Sequence, residues 1–439
     1  MSDSGPASTP EPPSPPAASE IRVTLAQLFR HEYARLVAIL VRQLGPARLP
    51  LVEDVVQDAL LRAAQIWPYH GLPPQPTAWL LTTARHRALD LCRRDRRWQR
   101  SAPLIAQQIE ATAHHAHHIA QSTFEDEIRD ASLRMMFVCC HPELSSDAQL
   151  ALILKTLAGF GEQEIAAAFL VPRATVTKRL VRARRFLRDA TITGDLPTPA
   201  ELQSRMHTVR HALYLLFNEG YKASSGETLV RDELCAEAMR LLDSLLAWPP
   251  GRQPANAALA ALMCFHSARF STRSDTAGEA ILLADQDRSR WNRTLIRRGL
   301  HYLRDSTAGA TFTRYHLEAG IAADHCLAPN YAATNWTHIV ALYEKLHVIA
   351  PSPFVSLNHA VALAETVGPA AGLALIDREI DVARLANYHL YHAVRAQLLQ
   401  RLGSDEAEAA YHRAAQLAPL ASERRELQRR ANSLRASAS

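Results

Sequence analysis

Gly161 to Arg188 reads GEQEIAAAFLVPRATVTKRLVRARRFLR, and this stretch decides how the chain is organised. Glu162 to Phe169 places Ile165, Ala168 and Phe169 at helical spacing, with acids around its start. Val171-Pro172 then interrupts the helix, because proline lacks a backbone donor and restricts the residue before it. The following segment predicts a second helix with Val176, Leu180, Val181 and Leu187 as its apolar stripe. Its other faces carry Arg173, Thr175, Lys178, Arg179, Arg182, Arg184, Arg185 and Arg188. Helix, tight turn and basic helix is the layout of a helix-turn-helix whose second helix enters the major groove. A solvated charged face on a plain helical hairpin is the competing reading. Seven basic side chains against the single acid Asp189, placed directly after this turn, favour DNA. Arg173, Thr175, Lys178 and Arg179, near the start of the second helix, are best placed to reach base edges.

The surrounding 439 residues predict two or three domains with apolar mass enough for sizeable cores, at 48% hydrophobic and 21% charged. A net charge of +5 is modest, so the case for nucleic acid rests on clustering. The six cysteines show neither CxxC spacing nor disulfide-framework density, which fits reduced core thiols in a cytoplasmic protein. No apolar run reaches the roughly 18 residues that span a membrane. The first 22 residues, rich in Pro, Ser and Ala, read as a disordered tail and not as a secretion signal.

From Leu25 to Leu44 an amphipathic helix is expected, and then VEDVVQDALLRAAQIW, residues 52 to 67, follows the core pattern of a second one. Glu53, Asp54, Gln57, Asp58 and Arg62 fall together on its exposed side, either as a solubilising face or as a docking face for a basic partner. A Pro/Gly-rich loop with Trp67 and Tyr69 comes next, and then a helix from Thr77 to about Arg97. That helix opens on Trp79, Leu80, Leu81 and Ala84 and ends among Arg85, Arg87, Arg93, Arg94, Arg96 and Arg97. A cationic helix beside an aromatic loop suits a groove that neutralises phosphates while aromatics stack on unpaired bases. His114, His115, His117 and His118 lie in a low-pattern linker, and Cys139-Cys140-His141 closes an apolar helix. Neither is read as a metal site, since ligands need a fixed second shell. Beyond a second linker, Glu201 to the C-terminus reads as helical throughout. Pro351 and Pro419 stand two 34-residue periods apart, and Ala407, Tyr411, Ala414 and Pro419 occupy the small, aromatic, small and proline positions of a tetratricopeptide register. An α-solenoid, whose concave face commonly binds a protein or peptide, is the architecture expected there. DQDRSRWN, Asp285 to Asn292, reads as an internal salt-bridge network or a partner-binding edge.

Together VEDVVQDALLRAAQIW, PTAWLLTTARHRALDLCRR and the helix-turn-helix resemble the extracytoplasmic-function (ECF) sigma factors of bacterial RNA polymerase. LRMMFVCCHPELS, YLLFNEGYKAS, DQDRSRWN and SPFVSLNHAVALAE are similar to the subgroup with a tetratricopeptide-like C-terminal extension. The resemblance implies an all-α chain. Residues 1–22 would be a disordered tail, 23–100 sigma region 2, 101–127 a linker, 128–190 sigma region 4 and 200–432 the helical extension. It implies Asp54, Gln57 and Asp58 at the coiled coil of the polymerase β′ subunit, with the β flap as a further contact. It places Trp79, Arg85, His86, Arg93, Arg94 and Arg97 at the −10 element, and Arg173, Thr175, Lys178, Arg179 and Arg182 at the −35 element. Promoter DNA and core polymerase are the implied partners, with a protein or intramolecular partner on the solenoid. No cofactor, metal, membrane or catalytic activity is implied. The alternative is a helix-turn-helix regulator that never joins polymerase, and an enzyme is disfavoured further because no Gly-rich phosphate loop, nucleophile elbow or HExxH motif occurs.

Overall fold

The structure is a computed structural model that describes residues 32–71, 73–94, 121–169, 171–190, 192, 194–221, 232–275, 279, 281–309 and 311–438. The tail, Arg97 and the histidines of the linker lie outside the described residues. The rest is helical, with no β-strand among the described residues. Two compact units divide the chain: Met1–Cys139 with Leu152–Gly161 and Leu180–Leu196, and Cys140–Ala151 with Glu162–Arg179 and Pro197–Ser439.

The first unit is built on helices over 32–44, Leu49–His70, Pro76–Arg94 and Gln121–Cys139. The last of these begins inside the stretch read as linker. The apolar periodicity of residues 52 to 67 is realised directly: Val52, Val55, Val56, Ala59 and Ala63 are buried, together with Leu80, Leu81 and Ala84 of the helix packed against it. Gly71, at φ 77, ends the Leu49–His70 helix by donating its N–H to the Trp67 carbonyl at 2.9 Å. Trp67 and Tyr69 therefore sit in the last helical turn and not in a loop. Trp67 is buried and meets the Trp79 ring edge-on at 5.6 Å, whereas Tyr69 is 85% exposed. One feature had no signature in the periodicity. Ile153–Leu157 forms a widened helical turn, with Ala158 N–H reaching back five residues to the Ile153 carbonyl at 3.1 Å. Thr156, inside it, donates to the Leu152 carbonyl at 2.7 Å and lies 3.2 Å from Cys139 Sγ. Burial pushes that thiol up to about 12, so Cys139 is a core thiol at this position.

In the second unit, consecutive helices pack on one another from Pro199–Tyr221 to Ala421–Ala438. Small cores succeed one another along its C-terminal part, and two helices each serve two of them. Pro353–Thr366 gives Val355 and Ala362 to one core and Leu357, Ala360 and Ala364 to the next. His389–Arg401 gives Tyr391 and Leu398 to that second core and Ala396 to a third. Sharing faces between neighbouring cores is the one-dimensional logic of a solenoid. Ala407, Tyr411 and Ala414 are buried, the latter two in the third core, and Pro419 follows the end of their helix at Leu417, as the tetratricopeptide register requires. Gly372 permits a close helix approach, since a Cβ there would stand 2.7 Å from the Ala360 carbonyl oxygen.

DQDRSRWN does not form the expected salt-bridge network. Asp287 accepts from Ser289 N and Oγ at 2.9 and 2.6 Å, shaping a single turn. Asn292 caps the next helix by accepting from the N–H groups of Thr294 and Leu295. Arg288 is buried and donates to the carbonyls of His325 and Ala328 at 2.7 and 3.1 Å, where the helix Arg314–Leu327 ends. A cation at a helix C-terminus meets the negative end of the dipole, which explains the arginine without a carboxylate.

Candidate functional site

In the second unit Glu162–Phe169 and the start of Arg173–Asp189 form the expected helix, turn and helix. Ile165 and Ala168 are buried, and Val171 N–H bonds the Ala166 carbonyl at 3.1 Å to close the first helix ahead of Pro172. Thr177 Oγ1 donates to Glu162 Oε2 at 2.7 Å, and Arg173 Nε stands 3.7 Å from the same oxygen. One carboxylate thus joins the two helices. Along the second helix Val176, Leu180, Ala183 and Leu187 are buried, while Val181 is 55% exposed. The stripe therefore runs through Ala183, and Val181 belongs to the outer face. That correction follows from the 3.6-residue turn, because Ala183 completes the spacing from Val176 and Leu180 to Leu187.

Arg173, Thr175, Lys178, Arg179 and Arg182 are the candidates for DNA contact on this helix. Arg173, Lys178 and Arg182 are exposed and Thr175 is half-buried. Arg179 is engaged with Asp147 at 2.5 Å. Arg173 has the long contact to Glu162 already described, and Lys178 and Arg182 make no ion pair among the described residues. Screened surface cations of this kind are available to phosphates at little cost.

Of the other cationic helix, Pro76–Arg94, the candidates separate. His86 is exposed, Trp79 half-buried, and Arg85 only 3% exposed, with its Nε donating to Gln43 Oε1 at 3.2 Å. Arg85 is thus committed to the core of its own unit. Arg93 and Arg94 lie in the last turn of the helix, and their side chains are outside the described residues, as is all of Arg97.

On Leu49–His70, Asp54, Gln57 and Asp58 share one exposed face at i, i+3 and i+4. Asp58 pairs with Arg87 at 2.9 Å across an exposed gap, and Leu61, 62% exposed, extends the same surface by one turn. Glu53 is the exception to the acidic face read from the sequence. It is 4% exposed, receives the Tyr33 hydroxyl at 3.4 Å and pairs with Arg184 at 2.7 Å. Burial raises its carboxyl above the usual range even though Arg184 pulls the other way. Sequence spacing had no means of finding this contact, whose partners lie far apart in the chain. Of the two aromatics of that segment, only Tyr69, in the last turn of Leu49–His70, is exposed.

A run of packed helices joined to a chain segment with an exposed acidic face and a helix-turn-helix with a cationic outer face is the layout of a DNA-binding protein. Family comparisons give that class its identity. Residues 28–98 match sigma-70 region 2, residues 134–187 match sigma-70 region 4, and residues 205–307 match a family of unknown function, DUF6596. The chain is also similar to an uncharacterized protein of Rhizobium meliloti (strain 1021), at 36% identity over 378 residues, 85% of this chain and 88% of that protein. No solved structure matches. The chain belongs to the sigma-70 family: it is a sigma factor that binds RNA polymerase and promoter DNA. The reading as a regulator that stays apart from polymerase leaves the region 2 match without a role. Among the described residues no helix is long and apolar enough to cross a membrane.

Proposed function

We propose that this sigma factor belongs to the ECF subgroup with a tetratricopeptide-like extension and works in the cytoplasm without catalysing a reaction of its own. Residues 23–100 act as region 2, 128–190 as region 4 and 200–432 as the regulatory extension. The exposed face of Asp54, Gln57 and Asp58 docks on the coiled coil of the polymerase β′ subunit, and region 4 meets the β flap. Lys178 and Arg182, with Arg173, Thr175 and Arg179, hold the −35 element. Trp79, His86, Arg93, Arg94 and Arg97 meet the −10 element, where Tyr69 is free to stack on an unpaired base. Arg85 supports this surface from beneath. The solenoid takes a protein or intramolecular partner that sets activity.

The observation that carries this reading is the pairing, in one chain, of the two sigma-70 matches with an exposed carboxylate face on the first and exposed cations on the second. Opening of the −10 element needs no bond chemistry: bases held by stacking and hydrogen bonds shift a closed-to-open equilibrium. The extension is tested by removing residues 200–439 and measuring promoter-specific transcription with core polymerase. A rise identifies inhibition and a loss identifies assistance; an unchanged rate contradicts a regulatory extension.

A further inference from the structure

In the second unit one non-helical segment, residues 281–285, lines two cavities of about 560 and about 270 Å³, and Leu282 borders both. The smaller cavity has Leu283 and Ala284 of the segment on its wall. It is completed by Trp336, Asn358 and Gln397, from the helices Trp336–Ile349, Pro353–Thr366 and His389–Arg401. The larger one is bordered by the same segment and by Arg425 and Arg429 of the helix Ala421–Ala438. The segment is pinned at both ends. Downstream, Asp285 N–H donates to the Leu282 carbonyl at 2.9 Å, and buried Gln286 donates from Nε2 to the Ile281 carbonyl at 3.0 Å. Upstream, Arg425 Nε donates to Glu279 Oε1 at 2.7 Å. Between the pins the apolar seat is only partial: Leu283 is half-buried, Leu282 is 37% exposed and Ala284 is exposed.

We propose that this cleft is a groove for an extended peptide bearing a carboxylate and, three residues later, two adjacent leucine-class side chains, and that residues 281–285 occupy it until such a partner displaces them. As the partner site of a regulatory extension the groove rests on the reading above; its occupation by the chain's own segment does not. The seated segment shows the chemistry that the cleft accepts: Glu279 on Arg425, then Leu282 and Leu283 at the cavities. Two cavities that meet at Leu282 suit an elongated ligand better than a compact one.

The wall also holds polar groups that the segment leaves unused. Neither the Asn358 nor the Gln397 side chain has a hydrogen-bond partner among the described residues, and His325 Nδ1, on the same wall, is buried without one. A carboxamide both donates and accepts, so Asn358 and Gln397 can each pair with the backbone of an extended peptide. Displacement is cheap at the charged end. The Arg425 side chain is 58% exposed, and a solvated ion pair loses little when one carboxylate replaces another. DQDRSRWN gains a role in this arrangement: its Gln286 closes the turn behind Leu282, and its Arg288 ties the base of the segment to the carbonyls of His325 and Ala328.

The test titrates a fluorescein-labelled peptide, EAILLAD, which copies residues 279–285, into the full chain and follows fluorescence anisotropy. A groove open one-tenth of the time shows an affinity about tenfold below its intrinsic one. Leu282→Ser with Leu283→Ser, which weakens the chain's own seat, should therefore tighten peptide binding at least about tenfold. Glu279→Gln frees Arg425 and should tighten it in the same direction by less, with circular dichroism confirming retained helix in both. In the opened chain, Asn358→Ala with Gln397→Ala should weaken the peptide at least about fivefold. Equal affinity in the unaltered and opened chains overturns the proposal, as does a lack of binding to the opened chain. Equal binding of a scrambled peptide of the same composition overturns it too, by showing an unselective apolar surface. An opened chain that dimerises in sedimentation velocity without peptide gives the groove to a second copy and also overturns it. If the peptide binds as expected while removal of residues 200–439 leaves transcription unchanged, the groove stands and the regulatory reading of the extension fails.

Discussion

Replacing Lys178 and Arg182 together by alanine gives the sharpest quantitative expectation. Both side chains are exposed, one turn apart on the second helix of the helix-turn-helix, and neither is ion-paired among the described residues. Each cation that neutralises a phosphate contributes about 0.9 to the slope of log affinity against log salt. Losing two lowers the magnitude of that slope by about 1.8. Between 50 and 200 mM salt, each contact weakens binding about 3.5-fold, so affinity for a −35 duplex should fall about 12-fold further for the unaltered protein than for the variant. Fluorescence anisotropy titrations of a labelled duplex at several salt concentrations measure both slopes. Because the substituted positions are exposed, thermal unfolding should be nearly unchanged, within about 0.5 kcal/mol. Arg179→Ala provides the contrast. Its guanidinium is already committed to Asp147, so its loss should lower the slope less than either neighbour does. Equal salt slopes for the unaltered protein and the double variant would refute phosphate contact by this face.

Three further outcomes follow from the same geometry. Reversing charge at Asp54 and Asp58 together, to lysine, should abolish co-purification with core polymerase. Stability should change by no more than about 1 kcal/mol, because the Asp58–Arg87 pair is solvent-exposed; retained co-purification contradicts the docking face. Leu180→Ala, at a fully buried position, should destabilise the helix-turn-helix by about 2–5 kcal/mol, read by chemical denaturation, and a loss below about 1 kcal/mol would mean the site repacks. His325 is held down to about 3 by burial and by the charges of Arg269 and Arg288. A folded value below the free one means that stability present at neutral pH is lost as pH falls through about 6.5 towards 3. Between pH 7 and pH 5 that residue alone should cost about 2 kcal/mol. His325→Gln should remove this increment from the pH dependence of unfolding, and an identical pH dependence contradicts burial of a neutral imidazole.

The parts legible in the sequence were those that local spacing controls. Pro172 marked the break between the two helices, and the run from Val52 to Ala63 gave the buried face of the region 2 helix with Asp54, Gln57 and Asp58 opposite. Tyr411 and Pro419 gave the repeat register, because tetratricopeptide packing sets aromatic and small residues at fixed offsets. Legibility ended where partners came from afar. Glu53 satisfies the pattern of an exposed acid until Arg184, far along the chain, covers it. Arg85 counts among the cations of its helix by composition but bonds Gln43 beneath the surface. Arg288 looked like a member of a charged cluster, and its partners are the carbonyls that end a helix more than thirty residues away. Backbone carbonyls carry no sequence signature, so such a role emerges only from the fold. The widened turn at Ile153–Leu157 is similar: nothing in ILKTL distinguishes it from an ordinary helical turn.

The central claim is tested most directly by run-off transcription with purified core polymerase, this protein and fragments of the DNA it serves, with no other initiation factor present. Discrete transcripts should appear whose start sites share an upstream pair of elements, and they should vanish with the Asp54 and Asp58 lysine variant. Duplex DNA bound with full affinity, but no transcript from any fragment, would contradict the account.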